Sequence, residues 1–209
     1  MLLMSDKPKK VIFLDHDGVI CLADNWGSRN KKKHKYAKKN NLTVNQLDSK
    51  EIPVEVLFDD FDKKAVKVLN EIITETDCEI VVSSDWRFHA NLEQLGTYYE
   101  SQGIIKKPIS VTEVFKDLYP REWSKYRFLA DIELERSMEI NHWLETNPEV
   151  TQWVAIDDLN MSMEYLSHHF LNPDNPEKKP GLTNFVHTPK SSEGIKQSGI
   201  KEKVLSFLS

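Results

Sequence analysis

The sequence predicts an α/β fold with a mainly parallel sheet, and three observations predict it. Short apolar runs of strand length recur: VIFL at 11–14, EIVV at 79–82 and WVAI at 153–156. Stretches with helical spacing of apolar residues lie between them. Each run also ends directly in a polar residue, Asp15, Ser83 or Asp157. Ligand crevices in such sheets lie at the carboxyl ends of the strands, so these three residues are expected along one edge.

Val11–Leu14 is apolar throughout, as befits a strand buried on both faces. From Asp24 to about Leu57 the chain turns polar and basic, without a convincing core pattern. FDDFDKKAVKVLNEIITET then starts a helix. Asp62 is its expected N-cap, Phe61 and Val66 are placed to staple across it, and Val66, Leu69, Ile72 and Ile73 recur at helical spacing. The run at 79–82 is the second strand, followed by a helix around NLEQLGTYYESQ and a third strand near Ile109–Val111. The segment 113–129 mixes aromatics and charge and carries no assignable element. ERSMEINHWLET (135–146) has the pattern of an amphipathic helix carrying Met138, Ile140, Trp143 and Leu144. Trp153–Ile156 is a further strand, Met161–Phe170 a helix and 172–181 a loop rich in Pro and charge. NFVHT supplies a last strand before a C-terminal helix ending in VLSFL. No internal repeat is present.

A chain of 209 residues can build one substantial core, so a single domain with an elaboration is expected. No apolar run approaches the ~20 residues that cross a bilayer, and no membrane partner is expected. MLLMSDKPKK is too short in its apolar part for a secretory signal. Cys21 and Cys78 form no spaced framework, which fits free thiols in a reducing compartment and predicts a cytoplasmic protein. A net charge of −5 argues against a generally basic nucleic-acid coat. Against that sign, Arg29 to Lys39 (RNKKKHKYAKK) holds seven Lys or Arg and no acid.

In VIFLDHDGVI, Asp15 and Asp17 flank His16, and Gly18 follows. Neighbouring side chains of an extended segment face opposite ways, so Asp15 and Asp17 share a side and His16 points away. A polar turn closing a strand is the bland alternative, and it weakens because Ser83 and Asp157-Asp158 end other strands in the same manner. Of the two serines, strand-end geometry favours Ser83 over Ser84. Asp85 is expected to cap a helix, Trp86 to pack, and Arg87 either to bind substrate or to pair with an acid. His168-His169 and His187 lack further ligands at metal spacing, so surface or loop roles are expected for them, and Lys190 is read as loop decoration.

DHDGV after VIFL, Ser after EIVV, a basic residue before the last of these strands and DD after WVAI resemble the haloacid dehalogenase (HAD) superfamily. The combination of DHDGV, VVSSDWR, RSMEINHWL and VAIDD is similar to the HAD domains grouped with Swiss Army Knife RNA-repair proteins. The resemblance runs from Val11 to Asp158. It implies a Rossmann-like sheet flanked by helices, with the first and fourth motif strands adjacent at its centre, and a small cap formed by 24–57. It implies Mg²⁺ held by the Asp15 carboxylate, the Asp17 carbonyl and Asp157 or Asp158, a hard ion among oxygen ligands. Asp15 would attack phosphorus to give an aspartyl-phosphate, Asp17 would move the proton, and Ser83 would hold a phosphoryl oxygen. Arg136, with Lys125 and Arg127 as competitors, would balance transition-state charge. Gly18 would let the chain turn sharply. Members that cleave carbon–halogen bonds generally lack the second Asp, so phosphoryl transfer is favoured; Val19 stands where Thr is commoner.

The substrate implied is a phosphate ester contacted by Gly18, Ser84 and Arg87. Lys31, Lys32 and Lys33, with Trp26 and Tyr36, would form a polyanion funnel that favours nucleotide or polynucleotide ends. A small-metabolite phosphatase with a solvated cap, and a non-catalytic nucleic-acid binder on the same fold, stand as alternatives.

Overall fold

The computed structural model describes residues 9–48, 51–119, 132–169 and 181–209. Five strands form one sheet: β1 (Lys9–Leu14), β2 (Glu79–Val82), β3 (Ser110–Val111), β4 (Val150–Asp157) and β5 (Phe185–His187). Their order is β3-β2-β1-β4-β5 and every pairing is parallel. Parallel neighbours need long crossovers. The described helices of these crossovers and of the C-terminus are α1 (Ser28–Lys39), α2 (Val54–Leu57), α3 (Lys63–Thr76), α4 (Leu92–Ser101), α5 (Phe115–Leu118), α6 (Ile132–Thr146), α7 (Met163–His169) and α8 (Ile200–Leu208). The result is the Rossmann-like α/β sheet that the sequence predicts, with β1 and β4 adjacent at its centre.

Strict alternation along the strands builds two cores. Ile12, Leu14, Ile80, Val82, Val154 and Ile156 share a cluster with Leu69, Ile72 and Ile73 of α3, Leu95, Tyr98 and Tyr99 of α4, and Val204 and Leu208 of α8. Val11, Phe13, Val81, Ala155 and Phe185 share the other with Ile140 and Trp143 of α6. Phe13 and Trp143 meet edge to face with centroids 5.3 Å apart. Side chains such as Leu69, with no exposed surface, contribute about 1.5–3 kcal/mol each by leaving water.

Asp62 caps α3 as expected, accepting from the Lys64 and Ala65 amides at 3.0 and 2.9 Å. Phe61 and Val66, the two staple positions, are both buried in one cluster. Several boundaries differ from the sequence reading. β4 starts at Val150, earlier than Trp153, because the exposed Thr151 and half-buried Gln152 break the apolar run. α6 starts at Ile132 and α7 spans Met163–His169. Phe115–Leu118, inside a segment without an assignable element, forms the short α5. Asp85 does not cap a helix. It opens a one-turn 3₁₀ segment, Asp85–Phe88, and α4 is capped instead by Asn91, whose side chain accepts from the Gln94 amide at 2.9 Å.

The insert between β1 and α3 is more ordered than its polar sequence suggests. Gly27, at φ +85°, precedes α1 without any side-chain cap of its own. A distant residue does the capping: the buried Asp59 carboxylate accepts from the Arg29 amide at 2.6 Å and from the Ser28 hydroxyl at 3.2 Å. Ile52, Val54, Leu57 and Phe58 then anchor the insert's end in the larger core. No helix among the described residues is long and apolar enough to cross a membrane.

Candidate active site

The site follows from register. Leu14 pairs with Val82 on one side and with Ile156 on the other, so Asp15 stands opposite both Ser83 and Asp157. Val82 pairs with Val111, and Asp157 with His187. Thr112, Ser83, Asp15, Asp157 and His187 therefore form a row across the carboxyl edge of the sheet. All five continue the face of Val81, Phe13, Ala155 and Phe185, because side chains alternate with period two. Backbone bonds extend the strands to this level: the Asp15 amide donates to Ile156 O at 3.1 Å and the Ser83 amide to Leu14 O at 3.0 Å.

Asp15, Asp157 and Asp158 each bring a carboxylate oxygen within 4.8 Å of the others. Asp15 and Asp157 are buried and Asp158 is half-buried. Arg136, itself buried, leans from the start of α6 onto this cluster. Its Nη1 lies 2.9 Å from Asp157 Oδ2 and 3.4 Å from Asp15 Oδ1, while Nη2 lies 3.1 Å from Asp85 Oδ1. The Leu159 amide holds the other Asp157 oxygen at 2.9 Å. Burial, then the charge of Asp157, pushes the Asp15 carboxyl well above the carboxylate range, against Arg136 and a hydrogen bond from Ser84. Asp157 is raised by burial although Arg136 pulls it down. Asp158 is pushed up to about 6, by burial first and by Asp157 second.

Three oxygen-donor carboxylates that resist ionising side by side fit a hard divalent cation, which would replace their protons and relieve their repulsion. Asp15, Asp157 and Asp158 are the side chains that would hold it.

Gly18 closes the corner. It adopts φ +73°, and a β-carbon there would overlap the Asp158 carboxylate. Turn geometry and Asp158 packing both require glycine. Asp17 is half-buried, and its Oδ2 accepts from the Trp86 indole N–H at 2.8 Å. His16 points the other way, without exposed surface. Its Nε2 lies 2.6 Å from Tyr99 Oη, and its ring packs against Phe61, Trp86 and Tyr99. Burial, aided by the Arg136 charge, lowers its pKa to about 3, so the imidazole is neutral.

The two serines divide the site between them. Ser83 sits in the row beside Asp15, buried, with a hydroxyl that has no hydrogen-bond partner among the described residues. Ser84, also buried, lies close enough to the Asp15 carboxylate to favour its charged form. Arg87 pairs with an acid: its Nη2 lies 2.6 Å from Glu139 Oε2, both side chains are buried, and Glu139 Oε1 also accepts from the Phe115 amide at 2.7 Å. Of its two sequence roles, pairing with an acid is the one the geometry favours.

Lys31, Lys32 and Lys33 lie on α1, where a helix spreads consecutive residues by about 100° each. Lys31 is exposed, whereas Lys32 bonds Asp60 at 2.8 Å and lies over the Tyr98 ring at 5.4 Å. The triplet is therefore not one surface. Lys125 and Arg127 lie outside the described residues. His187 is no loose surface histidine; its Nε2 lies 2.9 Å from the Asp158 carbonyl, tying β5 to the acidic corner. Lys190 pairs with Glu193 at 3.2 Å on the surface. The sequence reading missed the Trp86 contact to Asp17, the Asp85 contact to Arg136 and the role of Glu139. Only the nearness of Asp85 and Trp86 to the strand end was available to signal the first two.

A central pair of parallel strands ending in opposed carboxylates, with an arginine bridging them, is an arrangement of the HAD superfamily, whose members are in general metal-dependent phosphatases and related hydrolases. Residues 11–184 match the family described as the HAD domain in Swiss Army Knife RNA repair proteins, and the chain belongs to that family. No curated protein and no solved structure matches it.

Proposed function

We propose that the protein is a Mg²⁺-dependent phosphomonoesterase that works through an aspartyl-phosphate on Asp15. The observation that carries this reading is the set Asp15, Asp157, Asp158 and Arg136: three carboxylates within 4.8 Å of one another and an arginine 3.4 and 2.9 Å from two of them. Asp15 Oδ forms a bond to phosphorus while the ester P–O bond breaks, and Asp17 gives its proton to the leaving oxygen. Water then attacks the phosphorus and returns a proton to Asp17, which frees inorganic phosphate and Asp15. The Ser83 hydroxyl, unpartnered among the described residues, is available to donate to a phosphoryl oxygen. Arg136 offsets charge that builds on the phosphoryl group. A magnesium ion held by the three carboxylates and the Asp17 carbonyl would supply the positive charge that lets an anionic carboxylate approach an anionic ester.

The substrate we favour is the terminal phosphate of RNA or DNA, with 24–57 as a cap-like insert and α1 as its polyanion contact. Family membership and charge support this. Lys31, Lys33, Lys35, Lys38 and Lys39 have no ion-pair partner among the described residues, and most are exposed. Hydrolysis of an aryl phosphate should require Mg²⁺ and vanish in Asp15→Asn; turnover that survives this change refutes the mechanism. Oligonucleotides phosphorylated at the 3′ or 5′ end, compared with mononucleotides and sugar phosphates, test the substrate. Replacing Lys31 and Lys33 with Gln should weaken oligonucleotide turnover and its salt dependence more than aryl phosphate turnover. An equal fall in both counts against the funnel.

A further inference from the structure

We infer that Trp86 is the positioning residue for the proton-transferring Asp17, an inference that rests on the phosphatase reading above. The sole polar atom of the indole lies 2.8 Å from Asp17 Oδ2. Asp17 stands just past the end of β1, half-exposed, where a free carboxylate samples several rotamers. The indole N–H at hydrogen-bond distance selects one of them, with the buried Cys21 thiol as a further neighbour of the carboxylate. The indole occupies Oδ2 and leaves Oδ1 to meet the leaving oxygen and then water.

The donor is itself fixed before any substrate arrives. Trp86 is 4 % exposed. Its ring stacks on Phe58 with centroids 4.3 Å apart and planes 3° apart, and on Phe61 at 5.3 Å and 19°. His16 and Tyr98 close the remaining sides at 4.6 and 5.8 Å. Four residues, Phe58 and Phe61 of the α2–α3 connection, Tyr98 of α4 and His16 of the β1 loop, thus hold one indole, whose N–H faces Asp17. Folding has already removed the rotamer freedom of both partners, which is the structural meaning of preorganisation. His16 takes part only by packing: it lines the box, neutral because it is buried and held in place by its contact with Tyr99 Oη.

The role has a signature that general loss of structure lacks. A nitrophenolate leaves without needing a proton, whereas an alkoxide does not. Misplacing the acid should therefore slow an alkyl phosphate far more than an aryl phosphate. Trp86→Phe keeps an aromatic ring against Phe58 and removes the N–H. General acid–base groups contribute about 10²–10⁴-fold, so partial misplacement should lower kcat for an alkyl phosphate about tenfold or more beyond any fall with p-nitrophenyl phosphate, with KM changed little. An equal fall for both substrates overturns the inference and leaves the phosphatase reading standing. A second measurement is independent of turnover. In ¹⁵N-labelled protein the indole resonance of Trp86, identified by its through-space contacts to the Phe58 and Phe61 rings, should move upfield in Asp17→Ala, while those of Trp143 and Trp153 stay. A resonance that does not move overturns the inference, even if Trp86→Phe fails to fold. If the wild-type protein hydrolyses neither ester, the phosphatase reading falls, and the resonance alone decides whether the indole holds Asp17.

Discussion

His16 should make the protein acid-labile in a way that can be isolated from every other titrating group. Its ring has no exposed surface, and burial with the Arg136 charge lowers its pKa from 6.5 to about 3. In the unfolded chain it binds a proton near pH 6.5. Between these values the unfolded state holds one more proton than the native state, so stability rises with pH across that window and is lost as pH falls. The slope is about 1.4 kcal/mol per pH unit. From pH 7.5 to 5.0 the loss integrates to about 2 kcal/mol, since the unfolded imidazole is mostly neutral above 6.5. For a chain of this size that is about 4–8 °C in Tm.

The acidic corner works in the opposite sense. Asp15, Asp157 and Asp158 have raised pKa values, so they add stability at low pH that disappears as pH rises. The raw pH profile of the wild type therefore mixes two slopes. A comparison separates them: urea unfolding of wild type and of His16→Gln at both pH values. The variant starts less stable, because Tyr99 Oη loses its 2.6 Å partner, but it lacks the histidine increment. Its stability loss on acidification should be smaller than that of wild type by about 2 kcal/mol. Equal losses in the two proteins refute the reasoning, because they mean that the buried ring protonates freely.

Magnesium should raise Tm more at pH 7.5 than at pH 5, because raised carboxyl pKa values mean that protons compete for the same oxygens; at a hundredfold excess over Kd the gain is about 2.7 kcal/mol. Asp158→Asn should shrink that gain in a thermal-shift assay, and a pH-independent shift argues for binding elsewhere. Arg136→Lys should lower kcat about 10²–10³-fold with the fold intact by circular dichroism, since a point charge cannot reach Asp15, Asp157 and Asp85 as the planar guanidinium does. Glu139→Leu should cost about 3–5 kcal/mol in urea unfolding by stranding the buried Arg87 charge, and adding Arg87→Met should recover much of it. Full destabilisation in the double variant would mean that packing, not charge, is what Glu139 supplies.

The parts of the fold that were legible in the sequence share one property: their buried faces are made of apolar side chains. β1, β2 and the core half of β4 read as unbroken apolar runs because helices cover both faces of the sheet. α3 was legible to its cap because Asp62 and its apolar stripe are local features. α1 was not. It buries only Ala37 fully, with Tyr36 packed beside it, and polar contacts from afar hold it: Asp59 at its start and Asp60 on Lys32. Hydrophobic periodicity carries no trace of such contacts. β3 was faint because two residues at an edge make almost no pattern.

In the site the same division separates what strand-end position dictates from what only tertiary packing supplies. Once strands are parallel and in register, residues that directly follow them must line up, so the Asp15 and Asp157 row was open to inference from strand ends. Arg136 was implied only by the family resemblance, with Lys125 and Arg127 as competitors. The partners of Arg87 and Trp86 were legible from neither, because each sits in a short 3₁₀ turn whose side-chain directions follow neither helical nor strand periodicity. Arg87 turned inward to Glu139, and Trp86 turned so that its ring packs while its N–H bonds Asp17. Reading Trp86 as packing was correct for the eight ring carbons and silent about the ninth ring atom, Nε1. A buried tryptophan beside a reactive carboxylate deserves a separate question about its N–H, because that group must find an acceptor wherever the ring is buried. Here the nearest acceptor is Asp17.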